Sequence, residues 1–147
     1  MRSRCSTRAA TAAKAGEGPV CTQLANRLLE GTGGVEKDVA RGVIAARDAC
    51  RYDVEECYIV ADWLKAAGQA KVAFEVLERG CGATTENRYL DDVCQQLGNY
   101  YAAGTGTKKD VSRARAAWTI SCDLRKASTP DSWKNAISCS NLKKASK

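Results

Sequence analysis

A cysteine followed by one fixed helical stripe recurs three times in this chain, and that recurrence constrains the fold more than any other feature. With Cys21, Cys57 and Cys94 in register, the segments CTQLANRLLEG, CYIVADWLKAAG and CQQLGNYYAAG align without gaps through their first turns. An apolar residue stands three positions after each cysteine, a small one at four and an apolar one at seven. These are Leu24-Ala25-Leu28, Val60-Ala61-Leu64 and Leu97-Gly98-Tyr101. Such spacing is one face of an α-helix. The three starts lie 36 and 37 residues apart, the period of a helix pair.

A second series runs back from Cys50, Cys81 and Cys122. Eight residues earlier stand Gly42, Ala73 and Ala114, and four earlier stand Ala46, Leu77 and Trp118. The small residues let a partner helix approach closely. Each unit therefore reads as helix A, a turn, then helix B. Gly31 and Gly104 stand where a helix C-terminus needs a positive φ, and Asp38 and Asp110 are placed to cap helix B. The middle unit has only Ala67-Gly68-Gln69-Ala70 between its helices.

Composition agrees with helices. Much of the hydrophobic share is alanine, with one Phe and one Met, which suits close helix packing better than a sheet. The two prolines, Pro19 and Pro130, fall in expected linkers. The expected fold is all-α, an α/α superhelix of about three helix hairpins in a single domain spanning 1–147. Its units are about 21–50, 57–81 and 94–122, with 1–20 and 123–147 as terminal caps or incomplete flanking repeats.

Eight cysteines without a histidine or a C-x-x-C pair argue against zinc, so no metal and no cofactor are expected. Widely and regularly spaced cysteines point to disulfides and an oxidising compartment. In an antiparallel hairpin, the first residue of helix A and the last of helix B lie side by side. That geometry predicts Cys21–Cys50, Cys57–Cys81 and Cys94–Cys122. Cys5 and Cys139 are left without an assignment: halves of neighbouring units in a longer array, two free thiols, or a bridge to each other.

The net charge of +6 resides at the ends. Residues 1–14 and 123–147 each carry +4, whereas the stretch between them carries −2. A nucleic-acid surface would place its charge on the folded body, so no nucleic-acid partner is expected. No segment is long and apolar enough to span a membrane, and no apolar run follows the N-terminal arginines to make a secretory signal.

The pattern C-x2-L-[AG]-x2-[LY]-x2-G-x-G-x-x-K-D with a closing cysteine, clearest in CQQLGNYYAAGTGTKKDVSRARAAWTISC, resembles the Sel1-like repeat. More narrowly it is similar to the cysteine-rich Sel1-like proteins, whose hairpins each carry one A-to-B disulfide. The resemblance covers residues 21–122 and weakens in the second unit. It implies a tetratricopeptide-like superhelix serving as a scaffold or adaptor for another protein or an extended peptide. The implied location is periplasmic or secreted, with the mitochondrial intermembrane space as the alternative. Some secreted members of the family bind or slowly hydrolyse β-lactams, so a weak lactam hydrolase or binder is the alternative function.

A hydrolase needs a nucleophile beside a base, and the chain has neither histidine nor S-x-x-K, so no catalytic residue and no enzymatic activity are expected. A small-molecule ligand is not expected either. If helix A packs through its Leu and Ala positions, its opposite face lines the inner surface of the superhelix. Thr22, Tyr58 and Gln95, with Asn26, Asp62 and Asn99 one turn later, then form a ladder able to bond an extended peptide's backbone. Trp63 and Tyr100 are expected to pack between units, and Trp118 in the core.

Overall fold

The computed structural model describes Cys5, residues 18–82 and residues 90–145. The segment expected to cap the N-terminus lies mostly outside the described residues. What is described is helical throughout. Helix α1 spans Gly18–Glu30, α2 Val39–Tyr52, α3 Val54–Ala66, α4 Ala70–Cys81, α5 Leu90–Ala103 and α6 Val111–Ser128. A single 3-10 turn at Trp133–Asn135 precedes α7, Ile137–Ala145. Helices α1, α3 and α5 are the three expected helices A, and α7 begins at the partial fourth.

Local chemistry sets the helix ends. Helix α1 stops at Gly31, φ 74°, whose N–H donates to the Arg27 carbonyl at 2.7 Å. Helix α5 likewise stops at a glycine of positive φ, Gly104, φ 72°, and the next N–H, of Thr105, donates to the Tyr100 carbonyl at 2.9 Å. Asp38 and Asp110, both extended, accept hydrogen bonds from the N–H groups of Arg41 and Arg113 at 3.1 and 3.0 Å. Between α3 and α4 the chain turns through Ala67, Gly68 and Gln69, and the Gln69 side chain caps nothing.

The strongest packing is between α1 and α2, α3 and α4, and α5 and α6; α1 also lies on α3, and α3 on α5. The stripes read from the sequence face inward. Ala25, Ala61, Leu28 and Leu64 are buried on the helices A, and Ala46, Ala73, Leu77, Ala114 and Trp118 on the helices B. Small residues let the helices approach: the space a side chain would need at Gly42 is filled by Leu29, and at Gly80 by Cys57 and Val93. No helix among the described residues is long and apolar enough to cross a membrane.

The cysteine pairing corrects the expectation. Cys21–Cys50, Cys57–Cys81 and Cys94–Cys122 do not form. The bonds are Cys5–Cys21, Cys50–Cys57, Cys81–Cys94 and Cys122–Cys139, which leaves no free cysteine, so Cys5 and Cys139 are both paired and not with each other. Three crosslinks tie α2, α4 and α6 to the start of the following helix, α3, α5 and α7, and the first ties Cys5 to the start of α1. Both kinds of pairing use cysteines at the same end of the helices. Between α2 and α3 a single residue, Asp53, sets the end of one helix against the start of the next, whereas residues 129–136 connect α6 to α7. The closed loops span 16, 7, 13 and 17 residues. The disulfides therefore brace the joints between helix pairs and leave each pair to be held by packing.

Charge adds to the packing within one pair, α5 and α6. Arg125 of α6 bridges the carboxylates of Asp91 and Asp92 in the first turn of α5. Asp91 is buried, and desolvation pushes its carboxyl above the ordinary range, with Asp92 adding repulsion and Arg125 opposing both. A raised folded pKa means that the protonated form favours folding. That contribution is complete below about pH 4, the ordinary carboxylate value, and is lost as pH rises through the folded pKa. Urea midpoints measured from pH 3.5 to 7 are expected to show wild type losing ground to Asp91→Asn as pH rises. A difference independent of pH would show that Arg125 fully compensates the burial.

Candidate functional site

The helices A present equivalent positions, so the polar groups along them can be followed from unit to unit. One residue after the cysteine, Thr22 is 5% exposed and its hydroxyl donates to the Glu56 carboxylate of α3 at 2.5 Å. Glu56 is itself buried, at 7%. Tyr58, the equivalent residue of α3, is 38% exposed. Gln95, its equivalent on α5, is half-buried.

Five residues after the cysteine, the pattern is one of bonds between helices. Asp62 of α3 accepts from the Gln96 amide of α5 at 3.3 Å. Asn99 of α5 accepts from the Asn141 amide of α7 at 3.5 Å. Gln96 and Asn141 occupy the same place, two residues after Cys94 and Cys139, so the two bonds are equivalents one unit apart. At the first joint that place is held by Ile59, which cannot donate, and the carbonyl oxygen of Asn26 is buried without a partner. Asn99 is also tied within its own unit. Its carbonyl oxygen accepts from the Trp118 indole at 3.2 Å, and its amide donates to Gln96 at 3.1 Å.

Three of the six groups read from the sequence as a peptide ladder, Thr22, Asp62 and Asn99, are thus bonded to neighbouring helices of the chain. The Asn26 carbonyl oxygen is buried without a partner, while Tyr58 and Gln95 make no side-chain hydrogen bond among the described residues. Glu56, Gln96 and Asn141 escaped the sequence reading. Their signal was available: each stands one before or two after a repeat cysteine, places that alignment identifies but that amphipathic spacing alone assigns no partner.

The exposed part of this strip centres on α3. Ile59, at 39% exposure, lies beside Tyr58, with Asp62 one turn on. Tyr100 borders the same strip but is 3% exposed. Burial, assisted by the negative charge of Asp62, pushes its hydroxyl to about 12, so it stays protonated at neutral pH. The Lys65 ammonium lies 5.6 Å from its ring centre. Trp63 is half-buried against the core. Trp133, in the 3-10 turn, carries Lys126 over its ring at 4.7 Å.

On the helix-B side, a cleft of about 320 Å³ opens between α2 and α4, lined by Arg47, Glu75, Val76 and Arg79. Arg47 and Glu75 pair across it at 3.0 Å. Among the described residues no group of three or more Cys, Asp or Glu side chains could hold a metal ion. No protein-family model matches the sequence, and a search of curated proteins finds none similar to it.

Proposed function

We propose that this chain is a disulfide-braced scaffold of the Sel1-like kind, an α/α superhelix that presents its helix-A surface to an extended segment of another protein. Four disulfides are compatible with an oxidising, extracytoplasmic compartment, and the proposed setting is periplasmic or secreted. The observation that carries the reading is the exposed pair Tyr58 and Ile59 on the middle helix A, flanked by Asp62. An aromatic and a branched aliphatic side by side on a polar strip supply what a hot spot needs: apolar area with polar groups at its rim.

The contact surface proposed here is narrower than the six-residue ladder. Tyr58, Ile59 and Gln95 remain available to a partner, whereas Thr22 and Asn99 are engaged within the fold. Peptides selected from a display library against the oxidised protein are expected to bind Tyr58→Ala/Ile59→Ala at least about tenfold more weakly than wild type. Both positions are exposed, so the folded state should survive the change. Selected peptides that bind the double variant equally well, or a selection that returns none, would remove the reading.

A further inference from the structure

The joint between α2 and α3 is built differently from the others. Asp53 alone separates the two helices, with φ −134° and ψ 114°. On either side the helical bonding runs on: the Asp53 N–H donates to the Ala49 carbonyl at 3.1 Å, and the Glu56 N–H to the Asp53 carbonyl at 2.9 Å. The Asp53 side chain makes no capping bond to α3. No glycine or proline occurs between Gly42 and Gly68, so nothing in the local sequence forbids one helix running through 39–66. The next joint contains Gly82, Thr84 and Thr85, and the last contains Pro130.

The Cys50–Cys57 bond excludes that continuous helix. Residues seven apart in an α-helix are separated by about 10 Å along its axis. A disulfide requires Cα atoms within about 7 Å, and here they are 4.3 Å apart. The bond can form within one chain only when Asp53 bends it.

We propose that the Asp53 elbow is a hinge for domain exchange between two copies of this chain, and that the Cys50–Cys57 disulfide is the latch that commits a chain to its own partner helices. With the latch open, 39–66 straightens, and the unit α1–α2 of one copy packs on α3 and α4 of another. Every contact that the elbow closes is then remade across the two copies, including Thr22 with Glu56 and Arg47 with Glu75. A one-residue hinge between two well-packed units is the geometry that favours such exchange. When the exchanged pair is oxidised, Cys50 of one copy meets Cys57 of the other. Each thiol gives up a proton and an electron as the S–S bond forms, and a small-molecule disulfide is reduced to two thiols.

The full chain with Cys50→Ser and Cys57→Ser, its other three disulfides formed, is expected to elute mainly as a dimer with matched light scattering at high micromolar concentration. Adding Val54→Pro should return it to monomer. Proline suits the first residue of a helix, and it holds the preceding residue near the conformation Asp53 already has, while blocking the continuous helix. A monomeric double serine variant, or a dimer that Val54→Pro leaves intact, overturns the proposal.

Wild type supplies an independent readout should the serine variant fail to fold. Light and heavy isotope-labelled chains, reduced, mixed and reoxidised at high concentration, are expected to yield a mixed light–heavy 50–57 peptide pair and almost no mixed 122–139 pair. Unmixed 50–57 peptides, or equal mixing at both joints, would refute it.

Discussion

Gly98→Ala is expected to lower stability by about 2–3 kcal/mol, and the melting temperature by about 5–10 °C, although alanine is the better helix former. A Cβ at Gly98 would overlap the indole of Trp118. Trp118 is the largest side chain on the helix-B stripe and is nearly buried, so it has little room to retreat. Displacing it also pulls its N–H away from the Asn99 carbonyl and leaves a polar group without its bond. Urea unfolding followed by tryptophan fluorescence measures the loss. Trp118→Leu placed on Gly98→Ala should recover part of it, because the smaller side chain vacates the contested space. A Gly98→Ala protein within about 0.5 kcal/mol of wild type would mean that α5 and α6 are not in this close contact.

Complete reduction should have the larger effect still. Loops of 7 to 17 residues correspond to about 2–3 kcal/mol per crosslink in the chain-entropy model, on the order of 10 kcal/mol for all four. A domain of this size has a total stability of about 5–15 kcal/mol. Much of this core is alanine, which contributes little apolar area per residue. The reduced chain is therefore expected to lose most of its helical circular dichroism at 37 °C, where the oxidised chain keeps it. An unchanged signal and midpoint after reduction would show that packing alone holds the helices. Peptide mapping of the oxidised protein should return linked pairs 5–21, 50–57, 81–94 and 122–139.

The pairing and the polar strip mark where local pattern stops being informative. Helices were legible because burial repeats at i, i+3, i+4 and i+7, so Ala25, Ala61 and Leu64 declare an inward face without reference to any partner. The turns were legible because a positive φ needs glycine at 31 and 104, and an exposed helix start needs a cap such as Asp38 or Asp110. Asn99 could be placed on a face but not given a role. Whether its amide meets solvent, a ligand or Trp118 depends on a residue nineteen positions away and on the angle between two helices.

Local periodicity, small residues and capping groups thus determined the helices, their order, their inward stripes and the end of each helix at which the cysteines lie. Those properties depend on residues within a turn or two of one another. Tertiary structure alone decided that Cys50, Cys81 and Cys122 each bond the following helix, that Thr22 and Asn99 bond neighbouring helices, and that Tyr58 and Ile59 stay exposed. These outcomes turn on distances of a few ångströms between segments far apart in the chain. Such distances follow from how the helices stack and, between α2 and α3, from a connection of the single residue Asp53.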